Sequence, residues 1–208
     1  MTASKTVITT DTPESQQSTS AGRILGTALD LFAVKGYDAT SVREICEAAG
    51  ITKPTLYYFY GSKDGVFQAL VSSGFVQYRT MVDAALATPG SFRHRAKVLA
   101  RAMFESASTK PNFWRFMHSV IWAPPGTALP PTEPCTEFYD GVIEALSLAA
   151  EQAVSDGELA PGAVNVRMLI LMGAVSEAAT GFVIAGKPEL TPELADRIID
   201  VIIDGWKV

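Results

Sequence analysis

Apolar residues along this chain recur at three- and four-residue intervals, which is the spacing of helices with one buried face. Ile24, Leu25, Ala28, Leu29, Leu31 and Phe32 predict a first helix over about 20–35. Two short helices follow between 41 and 61, and a longer one runs from about 63 to 87 and ends before Pro89-Gly90. Ser91 can cap a helix reaching about Ser108, and Pro111 opens another through about Trp122. Residues 123–134 hold five prolines and one glycine and must form a loop. Helices are then expected over 135–156, 163–185 and 191–206, the last capped by Thr191. No alternating strand pattern and no internal repeat is visible, so the fold class is all-α. Residues 1–19 are polar, rich in Ser and Thr, and read as a disordered tail, with Lys5 able to touch a polyanion.

The segment SVREICEAAGITKPTLYYFYGSKD, residues 41–64, is the most informative. Ser41 and Glu44 have the spacing of a capping box, which opens a helix by satisfying its free N–H groups. Ile45, Ala48 and Ala49 lie on one face. Gly50 then stops the helix, because glycine takes the left-handed conformation without steric cost. Thr52 can cap the next helix and Pro54 falls in its first turn. Leu56 points inward, while Thr52, Lys53, Thr55, Tyr57 and Tyr58 face outward. Helix, glycine turn and helix with a hydrogen-bonding outer face is a helix-turn-helix.

At this point the chain resembles the tetracycline-repressor (TetR) family of ligand-controlled transcription regulators. The likeness starts near Arg23, runs through LDLFAVKGYDATSVREICEAAGITKPTLYYFYGSKDGVFQAL and ends near Leu70, about a quarter of the chain. Phe32 before Gly36-Tyr37, Thr40-Ser41 before Ile45, Ala49-Gly50-Ile51 at the turn, and Leu56-Tyr57-Tyr58 before Ser62-Lys63 agree in order and spacing. The resemblance implies an N-terminal three-helix helix-turn-helix domain over 20–66. It implies a C-terminal helical domain over 67–208 for ligand binding and dimerisation. It also implies that Tyr57 and Lys63 hold the DNA backbone, with Ser41 doing so from the start of the second helix. The chain departs from the family pattern at Phe59, which cannot donate a hydrogen bond, and at Tyr60, expected in the core with its hydroxyl at the rim. It departs again at Pro54, which removes one N–H.

From the residues themselves, Thr52 and Thr55 can hydrogen-bond base edges or phosphate, and the Thr55 methyl can meet a thymine methyl. Lys53 suits phosphate or guanine. For Tyr57 and Tyr58 the competing reading is a surface aromatic, in the case of Tyr58 packed on the first helix.

Charge changes this picture little. The net charge of −5 has the wrong sign for a nucleic-acid binder. Between Arg23 and Asp64, however, five Lys/Arg balance five Asp/Glu, so the acidity lies elsewhere. A neutral head can still grip phosphate through a few well-placed cations and helix N-termini, with a mild salt dependence. Cys46 and Cys135 have no metal-ligand or CxxC spacing, and the N-terminus lacks a secretory pattern, which suggests reduced thiols in a cytoplasmic protein. No metal or cofactor is expected. An enzyme is the rival of another class, but the chain has no GxSxG, HExxH, Walker loop or GxGxxG. The other rival is a ligand-binding regulator that works through a protein partner without DNA.

The segment 163–185 reaches membrane-span length, yet Arg167 and Glu177 interrupt it and no basic cluster flanks it. A helix buried on two sides, by its own core and by a second subunit, explains it better. Gly173, Ala174, Ala178 and Gly181 permit close approach. The family resemblance adds a homodimer formed through 163–185 and 191–206 on a palindromic operator of double-stranded DNA. It adds repression that a small, mainly apolar effector relieves by tilting the fourth helix. Candidate ligand-binding residues are Phe104, Trp114, Met117, His118, Trp122, Phe138, Met168, Met172 and Glu177, with plain core packing as the alternative for each apolar one. For Glu177 the alternatives are a cationic ligand, an ion pair with Arg167 or another base, or solvent.

Overall fold

The computed structural model describes residues 13–124, 127, 129, 130 and 134–205, with side chains from residue 20 onward in the first helix and from 140 onward in the seventh. Among the described residues there are nine helices and no strands. They are α1 Pro13–Lys35, α2 Val42–Ala49, α3 Lys53–Tyr60, α4 Lys63–Ala87, α5 Phe92–Thr109, α6 Pro111–Ile121, α7 Pro134–Ser155, α8 Val164–Ala185 and α9 Pro192–Asp204. α1 begins at Pro13, seven residues before the start expected from its apolar face. Proline in the first helical position and a glycine-free run of Ser and Gln account for the extra turns, which an apolar-periodicity reading cannot see. The expected tail otherwise falls on residues 1–12, outside the described residues.

The chain divides into two compact units, Met1–Ala69 and Leu70–Val208. The core of the first takes Ile24, Ala28 and Phe32 from α1, Ile45, Cys46 and Ala49 from α2, Leu56 from α3, and Val66 and Phe67 from the start of α4. Fully burying side chains of this size is worth about 1.5–3 kcal/mol each, which is what holds two eight-residue helices that would melt in isolation. Phe67 meets Phe32 and Tyr37 edge-on, while Phe32 and Tyr37 are tilted at 46°, with ring centroids 5.0 to 6.0 Å apart.

The second unit is built on α5, α7, α8 and α9, whose facing stripes include Leu99, Met103, Phe104, Leu146, Met168, Leu171, Val175, Ile199 and Ile203. Glu158 accepts the Phe92 N–H at 2.6 Å and so closes the start of α5. Arg93, Lys97 and Arg101, one turn apart on α5, meet Asp196, Asp200 and Asp204 at the same spacing on α9. α8 is long and apolar enough to cross a membrane by length and composition, with a mean hydropathy of 1.8. One face, from Met168 to Val183, is buried against the neighbouring helices. The other carries exposed Val166, Leu169, Ile170 and Ile184.

Candidate nucleic-acid interface and effector cavity

In the first unit, local chemistry fixes each element before packing does. Ser41 caps α2, accepting the Glu44 N–H at 3.2 Å, while Glu44 accepts the Ser41 N–H at 2.9 Å. Lys35 donates to the same carboxylate at 2.7 Å. These donors, Lys35 first and then Ser41, hold the Glu44 carboxyl at about 2 against an ordinary 4.5. Gly50 ends α2 with φ 62° and ψ 42°, and its neighbour Ile51 donates to Cys46 O at 3.0 Å. Burial pushes the Cys46 thiol up, which keeps it protonated and unreactive in the core.

α3 follows at once and buries Leu56 alone. Tyr57 and Tyr58 are 47% and 74% exposed, so Tyr58 does not pack on α1. Thr52 and Lys53 are exposed and Thr55 is half-buried beside them. Thr52 occupies the capping position but makes no capping bond. Pro54 has no N–H to offer, and the Thr52 hydroxyl instead meets the Thr55 hydroxyl at 2.9 Å. The two threonines therefore present a linked pair of hydroxyls. Tyr60 donates to Ala21 O at 3.0 Å, its ring half-buried, as expected of a core residue with a hydroxyl at the rim.

Lys63 differs from expectation. Its ammonium donates to Tyr37 O at 3.0 Å and Thr40 O at 3.1 Å, and stands 3.9 Å from the Tyr37 ring centroid. Tyr37 is turned toward it by a hydrogen bond from its hydroxyl to Asp64, and burial together with that bond pushes the phenol well up. Thr40, fully buried, donates to Gly36 O at 2.9 Å. Lys63 thus ties the loop between α1 and α2 to the start of α4. Two of its three donors are committed inside the protein, whereas Lys53 has no such partner among the described residues.

In the second unit a cavity of about 150 Å³ opens among α4, α5, α6, α7 and α8. An apolar cavity of that order admits at least a benzene-sized group. Of the nine expected ligand residues, Trp114, Met117, His118, Trp122 and Met172 line it. Phe104 and Met168 do not, being buried in the helical core at 2% and 0% exposure. Glu177 is exposed, on the α8 face turned away from the cavity. Arg167, its suggested partner, donates instead to the carbonyls of Ala160 and Pro161. The Phe138 side chain lies outside the described residues.

Sequence reasoning missed Gly74, Phe75 and Tyr78 of α4, Met103 of α5, and Ser176 and Thr180 of α8. The last two had a signal: hydroxyls one turn apart in the most apolar helix of the chain mark one face. A Cβ on Gly74 would stand 2.7 Å from Met117 Sδ and 3.1 Å from Phe113 Cζ, so the glycine lets α6 side chains lie flush on α4. Tyr78 donates weakly to Met172 Sδ at 3.9 Å, and Trp114 Nε1 donates to Ser106 Oγ at 3.1 Å. Among the described residues no group of three His, Cys, Asp or Glu is placed to hold a metal.

Comparison with known proteins agrees with this architecture. Residues 24–70 match the model of bacterial regulatory proteins of the tetR family. The chain is 36% identical over 84 residues to the HTH-type transcriptional repressor KstR2 of Rhodococcus jostii, covering 37% of this chain and 41% of that protein. It is 31% identical over 84 residues to the HTH-type transcriptional activator FasR of Mycolicibacterium smegmatis, covering 40% and 38%. The aligned stretch therefore spans well under half the length of these curated relatives. The fold extends further. The TetR family regulator PfmR of Thermus thermophilus superposes with a TM-score of 0.71 at 23% identity over 89% of this chain and 96% of that one. FadR of Bacillus subtilis, solved in complex with stearoyl-CoA, gives 0.74 at 17% identity over 88% and 98%. Residues 24–70 thus carry the helix-turn-helix of bacterial regulatory proteins of the tetR family, and the described helices as a whole share the fold of solved regulators of that kind.

Proposed function

We propose that this protein is a cytoplasmic, effector-controlled transcription repressor that binds a palindromic operator as a homodimer. The observation that carries the reading is α3. It buries one leucine, turns Thr52, Lys53, Tyr57 and Tyr58 to solvent and holds Thr55 half-buried beside them. A surface helix with two exposed tyrosines and a linked threonine pair wants a partner with both phosphates and base edges. In this reading Thr52, Lys53 and Thr55 face the groove, Tyr57 and Tyr58 reach the backbone, and Ser41 contacts it from the capped start of α2. Lys63 acts first by shaping the α1–α2 loop, with its third donor left for a phosphate. The exposed apolar stripe of α8 supports a second subunit, because Val166, Leu169, Ile170 and Ile184 are 48–66% exposed in the single chain.

The cavity in the second unit is read as the effector site. α4 supplies Val66 and Phe67 to the first core and Gly74, Phe75 and Tyr78 to the cavity wall. A ligand that favours one placement of α4 then changes the spacing of two reading heads on half-sites about 34 Å apart. Regulators related in sequence include both a repressor and an activator; in this reading the free protein represses.

The test is selection of bound duplexes from a random pool by the parent and by a Lys53→Ala/Tyr57→Phe variant. A palindrome enriched by the parent alone is the expected result. No enrichment by folded, dimeric protein would overturn the reading and favour a regulator acting through a protein partner.

A further inference from the structure

The cavity walls restrict the chemistry of what can enter. Among the described lining residues there is no Lys, Arg, Asp or Glu. Residues 125–139, most of whose side chains lie outside the description, contain no Lys or Arg in the sequence, so nothing in that stretch can supply a cation. Of the cations on the flanking elements, Arg79 pairs with Asp83 at 2.9 and 3.0 Å and Arg115 donates to Asn112 and Val183 O at 2.9 and 3.0 Å, while Arg95 of α5, whose Nε has no partner among the described residues, lies against Leu86, Leu146 and Met168, outside the cavity lining. An anion drawn into this space would lose its water and gain no countercharge, which is prohibitive at the scale of binding energies.

The walls are instead rings and thioethers. Phe75, Tyr78, Phe113, Trp114 and Trp122 surround the cavity, with Met103, Met117 and Met172 between them. Aromatic faces and polarizable sulfur favour a flat ring over a branched aliphatic body. Three polar groups interrupt this lining: the hydroxyls of Ser176 and Thr180, one turn apart on α8, and the ring of His118 on α6. None of the three side chains has a hydrogen-bond partner among the described residues, although the His118 ring lies 6.2 Å from that of Trp122. All three are half-buried at the edge of the apolar cavity, where a few polar groups can orient a ligand that the rings and thioethers hold.

We propose that the cavity takes a compact, uncharged aromatic molecule bearing one hydroxyl or carbonyl, with its ring among the aromatic walls and its polar group met by Ser176, Thr180 and His118. The proposal rests on reading the cavity as the effector site. It separates this chain from regulators whose ligand carries an anionic head into the protein.

The test is isothermal calorimetry on the full-length protein without DNA. The probes are 2-naphthol, 2-naphthoate (the same ring system carrying a charge) and stearoyl-CoA. The expected result is saturable binding of 2-naphthol, about tenfold or more tighter than 2-naphthoate, since the carboxylate must be desolvated without a partner. A Ser176→Ala/Thr180→Val variant with unchanged thermal unfolding should bind 2-naphthol about fivefold more weakly, and Thr180→Val alone by less. Three outcomes overturn the proposal: 2-naphthoate or stearoyl-CoA binding as tightly as 2-naphthol, no saturable binding of 2-naphthol, or an unaltered affinity in the double variant. Because no DNA is present, failure of ligand to release an operator would count against the regulatory reading only.

Discussion

At the scale of single residues, Lys63 and Tyr57 separate shape from recognition. Lys63→Ala removes two charge-assisted hydrogen bonds and a contact with the Tyr37 ring, and should destabilise the first unit by about 1–2 kcal/mol in urea unfolding. Tyr57→Phe removes an exposed hydroxyl and should leave the unfolding midpoint unchanged while weakening operator binding. Equal stability in both variants would show the Lys63 clamp to be dispensable.

Glu44 gives a pH dependence whose sign follows from its neighbours. Its carboxyl is held down to about 2 in the folded chain, so its contribution is complete above the ordinary 4.5 and is lost as pH falls toward about 2. Glu44→Gln should flatten the fall in stability over that window, as read from urea midpoints at a series of acid pH values. Ser41, Glu44 and Gly50 were legible in the sequence because a cap or a left-handed turn is decided within a few residues. The partner of the Lys63 ammonium was not. Tyr37 and Thr40 are more than twenty residues away, and a lysine beside a reading helix suits phosphate as well as a carbonyl.

At the scale of elements, α4 and α8 each serve two surroundings, and this is where pattern reading failed. Apolar residues on a helix declare that they are buried but not against what. Met103 lines the cavity while Phe104, next in sequence, is sealed in the core. Glu177 looked costly inside an apolar helix, yet it stands on the exposed face of α8, where a charge costs nothing until a subunit covers it. Gly74 makes a sharper forecast for α4. Alanine is the better helix former by about 1 kcal/mol, and its Cβ meets the end of a flexible methionine at 2.7 Å and, at 3.1 Å, the Phe113 ring, which must give by a few tenths of an ångström. Gly74→Ala should therefore leave stability equal or slightly higher while pushing Met117 into the cavity and weakening 2-naphthol binding. A stability loss with unaltered ligand affinity would contradict it.

At the scale of the whole molecule, the exposed stripe of α8 predicts assembly. Ile170→Glu puts a charge on a residue 52% exposed in the single chain, so the subunit should fold normally. It should sediment as a monomer where the parent is expected to sediment as a dimer, and operator affinity should fall because one head would contact only one half-site. A dimeric Ile170→Glu protein would move the interface elsewhere. The walls of the cavity carry a last, practical consequence. The chain has three tryptophans, and Trp114 and Trp122 both face that space. Indole emission responds to the polarity and quenching of its surroundings, so two of the three indoles of this protein sit where occupancy alters them. The molecule carries its own optical gauge of ligand binding, and candidate compounds that do not themselves absorb or emit in that range can be screened by emission alone, with no label attached.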